Sequence, residues 1–379
     1  MFRRILVLIA LSLCAGTTLA QDLSSIQVHG FVTQGFLYSS NNNLFTMKTS
    51  EGSARWTDGA ISFSDTLTDK LRIGIQLHVY QFGEFGGPNL QIDWATGDYS
   101  ASEKIRFVAG KVKTVFGLYN DSQDVDTVHL WILLPESVYP TDNKSFLLAH
   151  YGGDFYGAVN AGKHLGKLSY RGYAGYRSLD LNGGYVKQIS ELAGMTFAIA
   201  PGGNVFGGDL RWQTPVKGLL VGGSAITSNL DGTSPQGSFH IPYATDPAAY
   251  AKYERGKLVA VGEYRRTKGQ INLNVGGFIV PGKFDSESWY LMSSYRILEK
   301  LQAGAYYSHQ INPLGDSSLP ANFSKEWVIS GRYDFNSFFY AKLEDHIING
   351  TELSYYGCTN PSGLKPKSNL LAAKVGFSF

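Results

Sequence analysis

Alternation of apolar and polar residues with a period of two runs through most of this 379-residue chain, and it constrains the fold more than any other feature. From Leu71 to Tyr80, leucine, isoleucine and valine at odd positions alternate with mostly polar residues at even positions. The pattern recurs over 289–296 and 326–334. Such alternation puts the two sets of side chains on opposite faces of a β-strand. Because helical periodicity is almost absent, the sequence predicts an all-β protein.

Connections of two lengths separate the alternating segments. Short turns, such as 66–69 and 255–256, follow one end of the segments. Long polar connections follow the other end, at 41–52, 231–247, 312–322 and 349–368. A transmembrane β-barrel has short periplasmic turns and longer outer loops, whereas a soluble sandwich has no reason to sort its loops in this way. We therefore expect a closed antiparallel transmembrane barrel.

The number of strands follows from the same pattern. We predict sixteen, near 26–38, 53–65, 70–80, 89–99, 104–117, 146–161, 167–178, 203–213, 217–228, 248–255, 257–267, 285–296, 299–310, 323–334, 338–347 and 369–379. An even number is the rule for single-chain bacterial barrels. Apolar stretches within 179–202 and 268–284 could be further strands, so eighteen is the rival count. The 23 Tyr, 22 Phe and 44 Gly fit a barrel wall, where aromatic residues favour strands and membrane interfaces.

The N-terminus reads as a secretory signal peptide covering residues 1–20. Arg3 and Arg4 form a basic start, residues 5–13 are apolar, and 18–20 supply the small residues of a cleavage site. The apolar run is far shorter than the ~20 residues of a membrane-spanning helix, which disfavours a permanent anchor. Cys14 raises the possibility of a lipoprotein signal, but Leu13 stands where a small residue would be needed. The predicted barrel domain is then 21–379.

Charge and cysteine content exclude several classes of function. Without Arg3 and Arg4 the basic residues fall from 33 to 31, equal to the 31 acidic residues, so the mature chain has no net charge. Nucleic-acid binding needs a basic excess, so no nucleic-acid partner is expected. Cys358 is then the one remaining cysteine, and no His pair has the spacing of metal ligands. We expect no cofactor, no metal site and no internal disulfide.

The last segment alternates to the end of the sequence. Five residues, Leu371, Ala373, Val375, Phe377 and Phe379, share one face, and Lys374, Gly376 and Ser378 lie on the other. An edge strand of a soluble protein could show the same pattern. A strand that ends on an outward aromatic resembles the closing strand of bacterial outer-membrane proteins, and this resemblance implies that Phe379 is an assembly signal.

The segment 110–117, Gly-Lys-Val-Lys-Thr-Val-Phe-Gly, resembles Gram-negative outer-membrane porins, most of all the phosphate-selective porin-like group. In that group a basic strand leads into a Pro-Phe-Gly turn, and Val115 stands here in place of the proline. Residues 29–31 and 67–71 are similar as well. The resemblance implies a bacterial outer-membrane location, a homotrimer, and a third outer loop that folds into the barrel and narrows it.

The third outer connection, at 118–145, is the longest in the predicted barrel. Its acidic residues include four candidates for a pore constriction, Asp121, Asp124, Asp126 and Glu136. It also contains the apolar run 130–134, which suits a loop packed inside a barrel better than an exposed one.

Basic residues are expected on the lumen side of the strands, because charges facing lipid cost about 2–4 kcal/mol near the midplane. The candidates for the pore wall are Arg72, Lys111, Lys113, Arg171 and Arg211. Lys111 and Lys113 have the parity of Ile105 and Phe107, so we infer a β-bulge near residues 109–110 that turns both lysines inward. The acidic loop and the basic wall would then set up an electric field across the narrowest point of the lumen.

A polar lumen within about sixteen strands predicts a water-filled channel. The expected function is passive diffusion of small hydrophilic solutes and ions across the outer membrane, with weak selectivity and with membrane lipid as the surrounding partner. One alternative is an anion- or phosphate-selective channel. The alternative from another class is a barrel enzyme or surface receptor that acts through its long loops, although no nucleophile motif stands out.

Overall fold

A computed structural model describes residues 25–102 and 104–379, so the predicted signal peptide lies outside the described residues. The described chain forms sixteen strands: β1 (Gln27–Ser39), β2 (Ser53–Thr68), β3 (Leu71–Phe82), β4 (Phe85–Ser100), β5 (Arg106–Lys113), β6 (Ala149–Asn160), β7 (Lys167–Ser178), β8 (Gly202–Gln213), β9 (Leu219–Ser234), β10 (Gly237–Arg255), β11 (Leu258–Val275), β12 (Phe278–Leu298), β13 (Leu301–Ile311), β14 (Phe323–Asp334), β15 (Phe339–Gly350) and β16 (Lys367–Ser378). Each strand pairs antiparallel with its chain neighbours, and β1 pairs with β16 to close the barrel. The predicted count of sixteen is confirmed, and the rival count of eighteen is wrong.

The seam between β1 and β16 is regular. Phe31 pairs with Ser378 and Ser39 with Leu370, without a register shift. Beyond β16, Phe379 and Gly30 exchange two backbone hydrogen bonds of 3.0 Å each. The Phe379 ring lies so close to Gly30 that a Cβ there would be 2.6 Å from it. A glycine at position 30 therefore allows the terminal ring to lie across the seam.

The long connections lie at one end of the barrel, which is the outer end. We name the outer loops L1 to L8; they cover 40–52, 83–84, 114–148, 179–201, 235–236, 276–277, 312–322 and 351–366. Two α-helices occur in them, α1 (Lys144–Leu148) in L3 and α2 (Gly184–Ala193) in L4. Short 3-10 turns lie at Thr49–Glu51, Asp126–Val128, Thr141–Asn143, Pro320–Asn322 and Gly357–Thr359. None of the helices in the described ranges is long and apolar enough to cross a bilayer.

One predicted loop and one region left open between loop and strand turn out to be strand. Residues 231–247 belong mainly to the β9–β10 hairpin, whose turn is just 235–236, and 268–284 extends β11 and β12. Gly276 and Gly277 make the second turn with positive φ of 60° and 84°. These extensions lie beyond the apolar belt, where neither face needs to be apolar, so the alternation that marks the rest of the wall is lost there. Region 179–202 contains α2 and no extra strand.

The outward face of the barrel is an apolar belt with aromatic residues at both edges. Near the outer edge the exposed aromatic residues are Tyr38, Tyr151, Tyr176, Phe206 and Trp327. Near the inner edge they are Tyr99, Phe107, Trp212, Tyr295, Tyr333 and Phe339. Such paired girdles are the mark of a barrel that sits in a bacterial outer membrane. The protein is located there.

The buried core lies inside the barrel and under its outer loops. L1 contributes Leu44, Phe45 and Met47 to a cluster that also contains Tyr356 of L8 and Leu133 of L3. A second cluster joins Val186 of α2 and Met195 of L4 to Phe146 of α1 and to Phe239 of β10. L1, L4 and L8 therefore pack over the outer end of L3.

Candidate functional site

L3 folds into the lumen, as the sequence predicts, and spans 114–148 where the prediction had 118–145. Its apolar run 130–134 is buried, with exposed fractions of 2–7%. The loop contacts the wall on two sides that differ in chemistry. We call them the apolar flank and the charged flank.

The apolar flank packs L3 against β10 to β14. The loop side chains in this cluster are Leu118, Leu130, Trp131, Leu134, Val138 and Tyr139; the wall side chains are Tyr250, Val261, Tyr290, Met292, Tyr306 and Val328. Trp131 and Tyr306 meet edge to face with ring centroids 5.0 Å apart. Because side chains fill this side, it has the packing of a protein core rather than of a water path.

Glu263 on β11 anchors the start of L3 beside this cluster. Its carboxylate accepts hydrogen bonds from the Tyr139 hydroxyl at 2.5 Å and the Tyr290 hydroxyl at 2.8 Å, and from the Leu118 N–H at 3.3 Å. Gly117 turns the chain there with φ of 60°, and a Cβ on it would lie 2.1 Å from the Glu263 carboxylate. Arg211 donates to the Gly117 carbonyl at 3.1 Å. The loop therefore leaves the wall at a fixed point.

The charged flank is made of eight ionisable side chains, Asp58, Asp93, Lys113, Asp124, Asp126, Lys144, Lys342 and Lys374. Asp126 of L3 lies 2.9 Å from the Lys342 ammonium and 2.8 Å from that of Lys374. Asp124 of L3 lies 2.5 Å from the Lys113 ammonium. In one pair the charges are reversed: the basic residue, Lys144, belongs to the loop, and it lies 3.3 Å from an acidic residue of the wall, Asp58.

These pairs keep the loop carboxylates ionised. Burial by itself would raise the pKa of the Asp126 carboxyl, but the charges of Lys342 and Lys374 outweigh it and hold that pKa well below 3.8. For Asp124 burial acts in the same direction, and Lys113 and Lys144 outweigh it, so its pKa is also lowered. Burial lowers the pKa of His129 to about 4, so this neighbour is neutral at pH 7.

The loop backbone is also fixed to the wall on this side. Glu344 on β15 accepts from the N–H groups of Ile132 at 3.0 Å and Leu133 at 3.1 Å. Arg332 on β14 donates to the carbonyls of Thr127 at 2.6 Å and His129 at 3.0 Å. Hydrogen bonds to charged groups contribute about 1.5–3 kcal/mol each, so the middle of L3 has a defined position.

A cavity of about 40 Å³ lies between L3 and the wall at the charged flank. Its lining includes Trp56, Asp58, Tyr80, Asp124, Asp126, Lys144 and Lys374. On the periplasmic side of L3 a vestibule of about 610 Å³ is lined by Asp121, Arg211, Arg332 and neighbours. The small cavity has space for a few water molecules, since one needs roughly 10–15 Å³. The ion pairs of the charged flank therefore lie beside a space that can hold water.

The four predicted loop acids occupy three different positions. Asp124 and Asp126 belong to the charged flank, whereas Asp121 faces the vestibule. Glu136 accepts from the Thr141 N–H at 3.0 Å and lies 3.5 Å from the Ser354 hydroxyl, under the outer loops. Burial and the neighbouring Asp142 raise the Glu136 pKa well above 4.5. Glu136 thus bonds within the outer loops and faces no basic group of the wall.

The five predicted wall bases are also dispersed. Lys113 meets Asp124, and Arg211 bonds Asp209 and the start of L3. Arg171 pairs with Asp154 at 2.6 Å, away from the loop carboxylates. Arg72, near the periplasmic end of β3, donates to Ser64 at 2.9 Å.

The expected bulge that turns Lys111 and Lys113 inward is absent from β5. Gly110 is distorted, with φ of 130°, but β5 keeps its register on both sides. The Lys111 ammonium donates to the Ile92 carbonyl at 2.6 Å, and its side chain borders a cavity that Asp93 and Lys144 also line. Lys342 and Lys374 make the loop contacts instead. Strand parity marks both as facing the lumen, but no local signal marks them as partners of L3.

Comparisons with known proteins address the fold. No family model matches the chain, and no curated protein matches it in sequence. Solved structures do match: OmpT of Vibrio cholerae has a TM-score of 0.60 at 11% identity, covering 93% of this chain and 97% of that one. OmpF of Salmonella typhi, in complex with daunomycin, has a TM-score of 0.58 at 13% identity, covering 93% and 97%. An anion-selective porin from Comamonas acidovorans has 0.57 at 10% identity, covering 94% and 99%.

The chain has the porin fold. At identities of 10–13% these matches show the architecture and not the solute. None of the three is described as phosphate-selective, so the narrower resemblance is not confirmed. Within the described residues no cluster of three His, Cys, Asp or Glu side chains could hold a metal ion.

Proposed function

We propose that this barrel is a porin, a channel for passive diffusion of small hydrophilic solutes and ions, and not an enzyme. The observation that carries the proposal is the charged flank, where ionisable side chains of the infolded loop and of the wall border a cavity of about 40 Å³. Water and ions need polar, exchangeable partners along their path. The charged flank provides them and the apolar flank does not.

The same cleft argues for weak selectivity. Its four carboxylates and four ammonium groups have a formal sum of zero. Asp124 and Asp126 line the narrow cavity and repel an anion there, which disfavours a strictly phosphate-selective channel. A hydrated ion needs more room than about 40 Å³. Conduction therefore requires these ion pairs to separate transiently, and we expect small conductance steps with brief closures.

Recording from planar bilayers tests the proposal. A porin gives discrete ohmic conductance steps in symmetric salt, here small and with brief closures. The alternative is an enzyme or receptor that acts through its outer loops and in which L3 keeps the lumen closed. Such a barrel adds no conductance steps to those of the bare membrane at any protein concentration. That second result would refute the channel.

We also propose a homotrimer, and the outward wall supports an interface on β15, β16, β1 and β2. Asp345 on β15 is exposed on the outward face at mid-strand, and no described residue bonds it. Its surroundings are apolar: Ile329 and Leu371 stand opposite it in the neighbouring strands. Gln34 is also exposed there, bonded by Thr57 at 2.8 Å. A lipid-facing carboxylate is costly, so we infer that a second copy covers this face.

The substitution Asp345→Leu distinguishes contact with a second copy from contact with lipid, because the two predict different changes in assembly and stability. If Asp345 bonds a second copy, the substitution lowers the trimer fraction in native electrophoresis and leaves each barrel folded. If Asp345 faces lipid, the substitution raises barrel stability and leaves the assembly state unchanged, which would contradict the interface. Leu210→Ala, on the outward face of β8 across the barrel, serves as the control.

Two further proposals concern export. We propose that residues 1–20 are removed as a signal peptide and that Phe379 is read during assembly, since its ring lies across the β1–β16 seam and is 54% exposed. Deletion of Phe379 should lower the yield of heat-modifiable barrel, with unchanged conductance in the barrels that do form. A normal yield would contradict the assembly role of Phe379 and would not affect the proposal of a channel.

A further inference from the structure

Two buried polar atoms at the charged flank have no hydrogen-bond partner among the described residues. They are the indole nitrogen of Trp56 and the carboxylate oxygen Oδ1 of Asp124. Both residues line the cavity of about 40 Å³ between L3 and the wall, and they are only 3% and 1% exposed. A buried donor or acceptor without a partner is costly, so a solute or water in the cavity has to complete these bonds.

The Trp56 side chain is fixed by its neighbours on the wall. Its ring lies against Gly35 of β1, where a Cβ would be 2.6 Å from the indole. The Phe82 ring meets it edge to face with centroids 4.8 Å apart, and the Lys374 ammonium lies 4.3 Å from the centre of the indole. The indole N–H is therefore a donor with a defined position that no described residue uses.

Asp124 bonds the wall through only one of its two carboxylate oxygens. Its Oδ2 accepts from the Lys113 ammonium at 2.5 Å and from the Gln76 amide at 3.4 Å. The same ammonium lies 3.7 Å from the carboxylate of Asp93, so one cation is shared by two carboxylates. Because Oδ1 has no described partner, this end of the flank offers a place for a second ammonium group.

The flank also offers partners for a carboxylate. The Lys144 and Lys374 ammonium groups line the same cavity as the Trp56 indole. The eight ionisable side chains of the flank have a formal sum of zero, and an inorganic ion adds a net charge to this balanced set. A buried charge without compensation is costly. A solute that has both an ammonium and a carboxylate group adds no net charge and brings a partner for each kind of side chain.

We propose that this cavity selects small zwitterions, above all α-amino acids with short side chains. The solute ammonium bonds Oδ1 of Asp124, and the solute carboxylate bonds the Trp56 N–H and the Lys144 ammonium. The inference rests on the proposed function, because it names a solute class for the same flank. A cavity of about 40 Å³ suits the charged head of such a solute, so we expect short side chains to pass best.

Swelling of proteoliposomes tests the site with two isomers, glycine and glycolamide. They consist of the same atoms, but only glycine is a zwitterion near pH 7. A water-filled pore without a selective site passes both at similar rates. Here glycine should enter roughly tenfold faster than glycolamide, after subtraction of the rates in protein-free liposomes, since one hydrogen bond to a charged group can change an equilibrium by about that factor.

Two variants each remove one partner of the solute. Asp124→Asn removes the charge that bonds the ammonium, and Trp56→Phe removes the indole N–H but keeps an aromatic ring. Each should lower the ratio of the glycine rate to the glycolamide rate about threefold or more, while glycolamide still enters and shows that the barrel is intact. Asp121→Asn in the vestibule and Trp327→Phe on the outward girdle are the matched controls and should keep the wild-type ratio.

Equal swelling with glycine and glycolamide, in a protein that gives clear conductance steps in planar bilayers, would overturn the selective site and leave the channel standing. A wild-type ratio in either Asp124→Asn or Trp56→Phe would overturn the site as well. If neither isomer causes swelling and no conductance steps occur, the channel itself is refuted and this inference with it.

Discussion

The two flanks of L3 hold the same loop by different means. On the apolar flank, Trp131, Leu134 and their neighbours are packed against wall side chains. On the charged flank, Asp124 and Asp126 are held by lysines around a cavity of about 40 Å³. Apolar packing excludes water, whereas ion pairs can exchange partners with water and ions. In the proposed channel this difference assigns scaffolding to the first flank and permeation to the second.

The contrast also bears on how the proposed channel could conduct through a narrow lumen. Separating a packed indole from its contacts exposes apolar surface, which is costly in water. Separating an ion pair in a hydrated cleft exchanges one polar partner for another. For the proposed channel we therefore expect L3 to yield first at the charged flank, with the apolar flank as its hinge.

Asp126→Asn should give the largest change. It leaves Lys342 and Lys374 buried without their carboxylate, which costs about 3–5 kcal/mol for a broken buried pair. A cost of ~3 kcal/mol shifts the ratio of open to closed loop about 100-fold. We expect larger, longer-lived conductance steps in planar bilayers. Asp121→Asn, a carboxylate of the same loop that faces the vestibule, is the control and should keep wild-type steps.

Leu130→Ala tests the apolar flank. The side chain is 5% exposed, so its loss should cost about 2–5 kcal/mol of loop packing. We expect L3 to become sensitive to protease in detergent, while the reversal potential in a salt gradient stays at the wild-type value. A shifted reversal potential in Leu130→Ala would mean that ions pass along the apolar flank, which would contradict the account.

The pH dependence should be the smallest effect. The pKa values of Asp124 and Asp126 are depressed, so their stabilising pairs are fully present above the ordinary carboxyl pKa and are lost as pH falls through the depressed values. Conductance and reversal potential should therefore stay constant from about pH 8 to pH 5, rising only below about pH 4. A change near pH 6 would mean that a group outside these pairs controls the cleft.

Much of the wall could be predicted from the sequence, because alternation is a local signal. The strand count and the apolar run of the third loop follow from residues near one another, whereas the infolding of that loop is implied by the resemblance to porins. The loop's partners do not, since Lys342 and Lys374 are 216 and 248 positions from Asp126. Parity gives the face of each lysine, but the shear of the barrel decides which of them meets the loop. Arg72 and Arg171 also face the lumen by strand parity. The shear of the barrel nevertheless places them away from the loop carboxylates.

The hairpins of β9 to β12 show a second limit. Residues 231–247 contain Asp, Gly, Ser and Pro in a pattern typical of loops, yet most of them pair as strand. Outside the membrane a hairpin needs no apolar face toward lipid, so pairing across the sheet decides the structure and leaves no periodic trace. Lys111 shows the converse: the distortion near Gly110 is real, but it does not change the register.

The reversal potential across a salt gradient tests the central claim most directly, in the wild type and in the variant Asp124→Asn with Asp126→Asn. Removing these carboxylates leaves Lys113, Lys342 and Lys374 facing the cleft, so the account predicts weak selectivity in the wild type and a clear shift toward anions in the variant, with a higher phosphate flux. Asp121→Asn, added to that variant, should contribute little more. An unchanged reversal potential would mean that the charged flank does not line the pore, and the assignment of permeation to it would be wrong even though the barrel stands.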